Sequence, residues 1–356
     1  MKSLRFLLPV LAVFALVAAA CGDDDGGDAS ADVGEVTAGT TIRLVTHDSF
    51  VLSEGTLEAF TTETGVEVEL ISGGDAGEVV ARAIVTAGEP EADVLFGIDN
   101  TFLQRGLDAD LFIPYESPTL ADVPDELELD SGEFRVTPID FGDVCVNYWA
   151  EAVPGGTVPA SLDDLADPAF ASSFVTQDPE ASSPGFAFLL ATIATYGEDG
   201  WEDYWQQLAA GGVTVTTGWS DAYYGEFTAG GGEKSIVTSY ASSPVAEVLF
   251  SETPIDTPPT GVVTDSCFRQ IEFAGILDGT EHQAEAQALI DFMLSPTFQA
   301  DIPLNMFVAP ANSEVELPEV FVAHAADVEQ PLTLSPAEIE ENRAAWTERW
   351  REIVLG

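Results

Sequence analysis

Five short clusters hold the side chains of this sequence best suited to recognition chemistry. They are His47-Asp48-Ser49, Asp99-Asn100, Ser182-Ser183-Pro184-Gly185, Trp219-Ser220-Asp221-Ala222-Tyr223-Tyr224 and Tyr240-Ala241-Ser242-Ser243-Pro244. Taken singly, each polar cluster reads as a helix N-cap, because Ser, Asp and Asn are the residues that best accept from the free N–H groups there. Ser-Ser-Pro goes further, since a capping hydroxyl before a Pro at the first helical position leaves N–H groups free at the positive end of the helix dipole. Such an end receives a hydroxyl or phosphate oxygen, and the chain has two of them. Trp219, Tyr223 and Tyr224 are either core or stacking plates for a flat ligand. No metal-ligand spacing, P-loop, dinucleotide fingerprint or hydrolase elbow accompanies these clusters.

The clusters fall where alternating strands and helices place their ends. Strands are expected at 41–46, 66–71 and 93–98, with helices at 54–64 and 78–87 between them, an order that predicts a parallel sheet covered by helices. Later strands are expected at 143–148, 212–217, 235–239 and 268–276, and helices at 184–196, 201–209, 244–250, 281–294 and 336–354. The fold class is therefore α/β. In such sheets ligands bind at the ends of the strands, so the five clusters together make one candidate site.

Charge narrows the partners. The 356 residues carry 62 Asp plus Glu against 11 Lys plus Arg, a formal net charge of −51, while 46% of them are hydrophobic. That apolar content belongs to a folded chain rather than a disordered acidic one. Nucleic acid and anionic lipid headgroups are excluded as partners for want of a basic stripe, and small cations fit. Residues 1–20 have Lys2 and Arg5 before an apolar run that ends in Ala18-Ala19-Ala20, which reads as a secretory signal peptide. The run is shorter than the ~20 apolar residues a membrane-crossing helix needs. Cys21 after that triplet resembles the lipidated cysteine of a bacterial lipobox, and residues 21–40 read as an acidic flexible tether. Leader and tether hold two of the bases and six of the acids, leaving 56 acids and 9 bases from Thr41 onward, a formal −47. One small cation needs one or two acids, so this excess is read as adaptation to a salty exterior. The melting temperature is expected to rise with added NaCl, and a fall or no change would contradict that reading.

Cys145 and Cys267 remain; outside the cytoplasm an even pair reads first as a disulfide, the rival being a reactive thiol.

The segments VTHDSF (45–50), DVLFGIDN (93–100), QDPEASSPGFAFLLA (177–191), VTVTTGWSDAYYG (213–225), SYASSP (239–244) and FMLSPTFQADIP (292–303), taken in order, resemble the thiamine-binding proteins of bacterial thiamine ABC importers. The resemblance implies a two-lobed periplasmic-binding-protein fold of the second type, with two crossover strands at the hinge. It implies lobe 1 from 41–138 plus 268–325, lobe 2 from 139–267 and a C-terminal helical segment at 326–356. It also implies thiamine or a thiamine phosphate in the cleft, delivery to an ABC permease, no cofactor and no catalysis. Ligand contacts carry over onto Asp99, Asn100, Ser182, Ser183, Trp219, Tyr240, Ser242 and Ser243, with Tyr223, His47 and Asp48 added beside them. Trp219 and Tyr240 would face the thiazolium and the flat rings, and Asp99 would accept from the exocyclic amine. The chain departs from the family at His47, Ser53, Ala246 and Met306, where aromatics are usual; His47, Tyr223 and Phe307 are the residues expected to replace them.

Two other readings stay open. Tyr223-Tyr224 resembles the tyrosine pair of ferric-ion-binding proteins, with His47, Asp48 and Asp99 to complete the set, and acid-plus-aromatic cages also suit polyamines. The segment around Cys145 resembles that of the thiaminase I nucleophile, with Glu272 as its base.

Overall fold

The computed structural model describes residues 34–356, which form one compact unit. The leader, Cys21 and the tether as far as residue 33 lie outside the described residues. The last tether residues are not free. Thr37 N–H donates to Glu285 Oε1 at 2.9 Å and Gly39 N–H to Gly65 O at 2.7 Å, so the body begins a few residues before Thr41.

The chain begins β1 (Thr41–Thr46), α1 (Thr56–Thr64), β2 (Glu67–Ser72), α2 (Ala76–Val85), β3 (Val94–Asp99), α3 (Leu103–Asp108) and β4 (Phe112–Ile113). It continues through β5 (Thr137–Trp149), α4 (Leu162–Leu165), α5 (Pro168–Ala171), β6 (Phe174–Gln177), α6 (Ser183–Tyr196), α7 (Trp201–Gly211) and β7 (Thr214–Thr216). After β8 (Ile236–Tyr240) and α8 (Ser243–Leu249) come β9 (Thr260–Leu277), α9 (Gln283–Met293), α10 (Pro296–Gln299) and α11 (Ile302–Asn305). Last are β10 (Ala309–Pro310), α12 (Glu319–His324) and α13 (Pro336–Val354). Every expected strand and helix is present, most within two residues of its expected ends.

The strands share one hydrogen-bonded sheet in the order β2-β1-β3-β9-β5-β8-β6-β7. The expected parallel pairing holds at the two ends, β2-β1-β3 and β8-β6-β7. The middle is antiparallel, because β5 and β9 run against each other and against their neighbours β3 and β8. Both are longer than expected. Pro138 and Gly142 mask the start of β5, and the proline sits at a register shift between Pro138 and Asp140, where a missing donor is tolerated. In β9 the polar run Thr264-Asp265-Ser266 hides a bulge: Val144 pairs with Phe268 but Val146 pairs with Val263. Four residues of β9 thus oppose Cys145 alone, and the fourth, Cys267, is disulfide-bonded to it. Ser266 ties the same bulge, accepting from Val146 N at 2.8 Å and donating to Val263 O at 2.6 Å.

Two large cores flank the crossover strands. One gathers Ile42, Leu44, Phe60, Phe96, Ile276 and Phe292; the other gathers Phe174, Phe188, Trp201, Trp205 and Phe268. The six residues of β3 are all buried, as a continuous apolar run covered on both faces must be. The C-terminal helix α13 joins the second core through Ile339, Trp346 and Trp350, the last edge-on to Trp205 with ring centroids 5.6 Å apart. None of the described helices is long and apolar enough to cross a membrane.

Candidate functional site

Between the two cores lies a cavity of about 290 Å³, near the lower end of the roughly 300–1,000 Å³ usual for small-molecule sites. Its first wall comes from the exit of β1 (His47, Asp48, Ser49, Val51), the start of α2 (Asp75, Ala76) and the segment from Asn305 to Val308. The second wall comes from Ser183 and Pro184 opening α6, the aromatic cluster Trp219, Tyr223 and Tyr224, and the β8 exit with Tyr240 and Ser243. Gln270 and Glu272 of β9 make the floor. Asp48, Asp75 and Glu272 are its carboxylates, and no lysine or arginine is among the described residues lining it.

The aromatic wall is held by short polar bonds. Trp219 stacks on Tyr223 with centroids 5.0 Å apart and planes 21° off parallel, and meets Tyr224 and Tyr240 edge-on. Its indole N–H donates to Ser239 Oγ at 2.9 Å, and Ser239 is hydrogen-bonded in turn to Ser243 at 2.8 Å. Tyr223 donates its phenol proton to Glu247 at 2.7 Å. Burial, with the Glu247 charge beside it, pushes that phenol well above its ordinary range. This disfavours the phenolate a ferric site needs, while Tyr224 is 62% exposed. Among the described residues no three His, Cys, Asp or Glu side chains are placed to hold a metal ion.

Asp75 bridges the two walls. It caps α2 in a capping box with Glu78, and it also accepts from Trp219 N–H at 3.0 Å and Ser183 N–H at 3.4 Å. Gly77 N–H to Ala181 O at 3.0 Å and the Ser49–Ser220 hydroxyl pair at 3.4 Å cross the cleft beside it. On the floor, Tyr240 OH donates to Gln270 Oε1 at 3.0 Å and Gln270 Nε2 to Glu272 Oε1 at 3.1 Å, which fixes the Glu272 carboxylate. His47 Nε2 lies 3.5 Å from the same oxygen. Gly97 is required beneath that ring: its φ is +95°, and a Cβ there would collide with His47.

Seven of the eleven residues expected to contact a ligand line the cavity: His47, Asp48, Ser183, Trp219, Tyr223, Tyr240 and Ser243. Four do not. Asn100 spends its side chain on β9, donating to Arg269 O at 3.0 Å and accepting from Ile271 N–H at 2.9 Å. Asp99 is fully buried, one oxygen accepting from Thr101 N–H, Thr101 Oγ1 and Phe102 N–H, so it caps its own turn. Ser242 donates to Phe307 O. Ser182 is buried behind the lining. Ser182 and Ser242 are the N-caps of α6 and α8, each one residue earlier than the sequence implied, with the prolines second in their helices. Neither makes a side-chain cap hydrogen bond. The cysteine-nucleophile reading also falls, because Cys145 is in a disulfide and offers no thiolate. Of the family's aromatic positions, His47, Ala246 and Met306 lie on the lining, as does Phe307. Sequence reasoning missed Asp75 and Gln270 outright. Asp-Ala-Gly-Glu at 75–78 does spell a capping box, but nothing local says that the cap reaches a second wall.

Burial sets the protonation of the site. His47 would lose its charge to burial alone, but the Glu272 carboxylate, with Asp75 and Asp48 adding to it, more than offsets this and its pKa is raised. Burial raises Asp75, and raises Asp99 to about 6. A raised histidine contributes stability that is present below its unfolded pKa and lost as pH climbs through the folded one. A raised carboxylate costs stability over the same climb. Glu272, whose pKa is lowered by His47 against its burial, runs the other way, but only below the ordinary carboxylate range. The protein is therefore expected to melt at a higher temperature at pH 5.5 than at pH 8. Asp99→Asn is expected to shrink that difference, and thermal melts of both proteins at the two pH values check it.

Three comparisons with known proteins bear on this cleft. Residues 89–330 match the family described as bacterial extracellular solute-binding protein. The thiamine-binding periplasmic protein of Escherichia coli (strain K12) is 30% identical over 90% of this chain and 95% of its own. That of Brucella suis biovar 1 (strain 1330) is 30% identical over 87% of this chain and 91% of its own. Among solved structures, a periplasmic thiamin binding protein superposes with a TM-score of 0.78 at 27% identity, covering 90% of this chain and 99% of that one.

Proposed function

The chain belongs to the bacterial extracellular solute-binding proteins, and we propose that it captures thiamine or a thiamine phosphate in the cleft and delivers it to an ABC importer. The fold is that of type II periplasmic binding proteins, and the family acts outside the cytoplasm. One observation carries the choice of ligand: an aromatic wall of Trp219, Tyr223, Tyr224 and Tyr240 stands over three carboxylates, Asp48, Asp75 and Glu272, with His47 beside Glu272 and no lysine or arginine among the described lining residues to balance them. That pairing suits a flat organic cation, whose rings stack while its charge is met by acids. Thiamine has a thiazolium and an aminopyrimidine, and Gln270 and Glu272 on the floor can accept from its amine.

Residues 41–138 with 268–325 would form one lobe and 139–267 the other, closing over the ligand as β5 and β9 flex. The bonds that Asp75, Ser49 and Gly77 make across the cleft would belong to the closed form, the one a permease engages. Acylated Cys21 would hold the body at the outer face of the membrane. Nothing is broken or made in this cycle, so the protein acts as a carrier. Isothermal titration with thiamine, thiamine monophosphate and thiamine diphosphate tests the reading: one site with at least one of them supports it, and no heat with any removes it.

A further inference from the structure

Below the cleft lies a row of three acids set by strand register. Asp99 on β3 is paired with Glu272 on β9, and Glu272 with Asp140 on β5. Asp99 and Asp140 are fully buried, and Glu272 alone of the three reaches the cavity. Their partners differ sharply. Asp99 has Thr101 and Phe102 as donors, and Glu272 has Gln270 and His47. Asp140 has no donor: neither of its carboxyl oxygens accepts a hydrogen bond, and the group within hydrogen-bond reach is the Glu272 carboxylate, which it can meet only if one of the two carries a proton.

An isolated buried carboxylate costs so much in desolvation that the group holds its proton instead. A second carboxylate paired with it in register adds repulsion and makes double ionisation costlier still. The charged surroundings offer little relief. His47 faces Glu272 from β1, with Asp48 and Asp75 beyond it; Tyr240 approaches from β8; Arg343 on α13 acts on Asp99 rather than on Asp140.

We infer that Asp140 and Glu272 hold one proton between them in the empty cleft, and that a cation settling over Glu272 drives it out, so that capture exchanges a cation for a proton. The O–H bond of the pair breaks, the proton passes to buffer, and the ligand's positive charge takes its place beside two ionised carboxylates. Burial and the Glu272 charge hold Asp140 well above the usual carboxylate range, which is the state this exchange starts from. The inference takes from the function above only that the ligand is a cation. It adds a role for Asp140, a residue outside the cavity lining: it sets the charge of the floor and favours a cation over a neutral ring of the same shape.

The test is isothermal titration of the protein with thiamine at pH 7 in buffers of different ionisation enthalpy, beside its neutral oxidation product thiochrome. The wild type is expected to release roughly half a proton or more per thiamine and none per thiochrome. Asp140→Asn, which mimics the protonated acid in shape, is expected to release close to none with thiamine. Heat that does not vary with buffer in the wild type, or a variant that releases as many protons, overturns the inference while leaving thiamine as ligand. If thiamine gives no heat at all, the ligand is wrong, and infrared spectroscopy of the empty protein still decides: a protonated-carboxyl C=O band at pH 7 that disappears in Asp140→Asn and persists at a shifted frequency in Glu272→Gln supports the shared proton. A band absent from the wild type, or unchanged in both variants, overturns it.

Discussion

Replacing Trp219 with alanine is expected to weaken thiamine binding by about 100-fold, the equivalent of roughly 2–3 kcal/mol from lost ring contact and cation–π attraction. The indole is the centre of the aromatic wall: it stacks on Tyr223, meets Tyr224 and Tyr240 edge-on, and is pinned by its bond to Ser239. Trp219→Phe keeps a flat face but gives up that bond, so a loss of only about 10-fold is expected, in the range of one hydrogen bond. Because Trp219 is partly buried and outside the two large cores, both variants should fold, which circular dichroism checks. An alanine variant that binds as tightly as the wild type would take the wall out of the site.

Removing the disulfide, as Cys145→Ala with Cys267→Ala, is expected to cost roughly 2–5 kcal/mol of stability. The bond closes a loop of sequence separation 122, long enough for the chain-entropy argument to predict a value in the upper part of that range. It also fixes the bulge where β9 carries its extra residues past β5, next to the Ser266 hydroxyl that holds the same turn. Urea unfolding should show a lower midpoint and a steeper slope, because the uncrosslinked chain unfolds to a more expanded state, while thiamine affinity at 25 °C stays near the wild type. Both sulfurs are buried away from the cavity lining, so a large loss of affinity would show that the bulge positions the floor. Unchanged stability would mean that the hydrogen bonds of the bulge suffice alone.

Much of this architecture is legible in the chain because local patterns and tertiary burial agree. TIRLVT alternates as a half-buried strand should, VLFGID is apolar throughout, and α13 is found where a serine, a proline and a charged 3.6-residue pattern put it. The direction of the middle strands was not legible, since pairing of β5 with β9 is a contact between residues more than a hundred positions apart. The candidate site divides along the same line. Aromatics and serines at strand exits could be found by type, and most of them line the cavity. Asn100 and Asp99 have the same types and the same placement, yet their atoms are used on β9 and on the turn behind the wall. Asp75 shows the converse: a helix cap by sequence, it is a bridge across the cleft only because α2 and α6 start face to face. Asp140 carries no local signal at all; its importance comes from register with Glu272 and from having no donor.

A crystal structure of the protein grown with thiamine tests the central claim most directly. The account predicts one thiamine in the cleft between the two cores, its rings against Trp219 and Tyr240, its amine toward Gln270 and Glu272, and Asp75 still bridging the walls. Thiamine bound elsewhere, or bound in the cleft without touching Trp219 or the floor carboxylate, would contradict it.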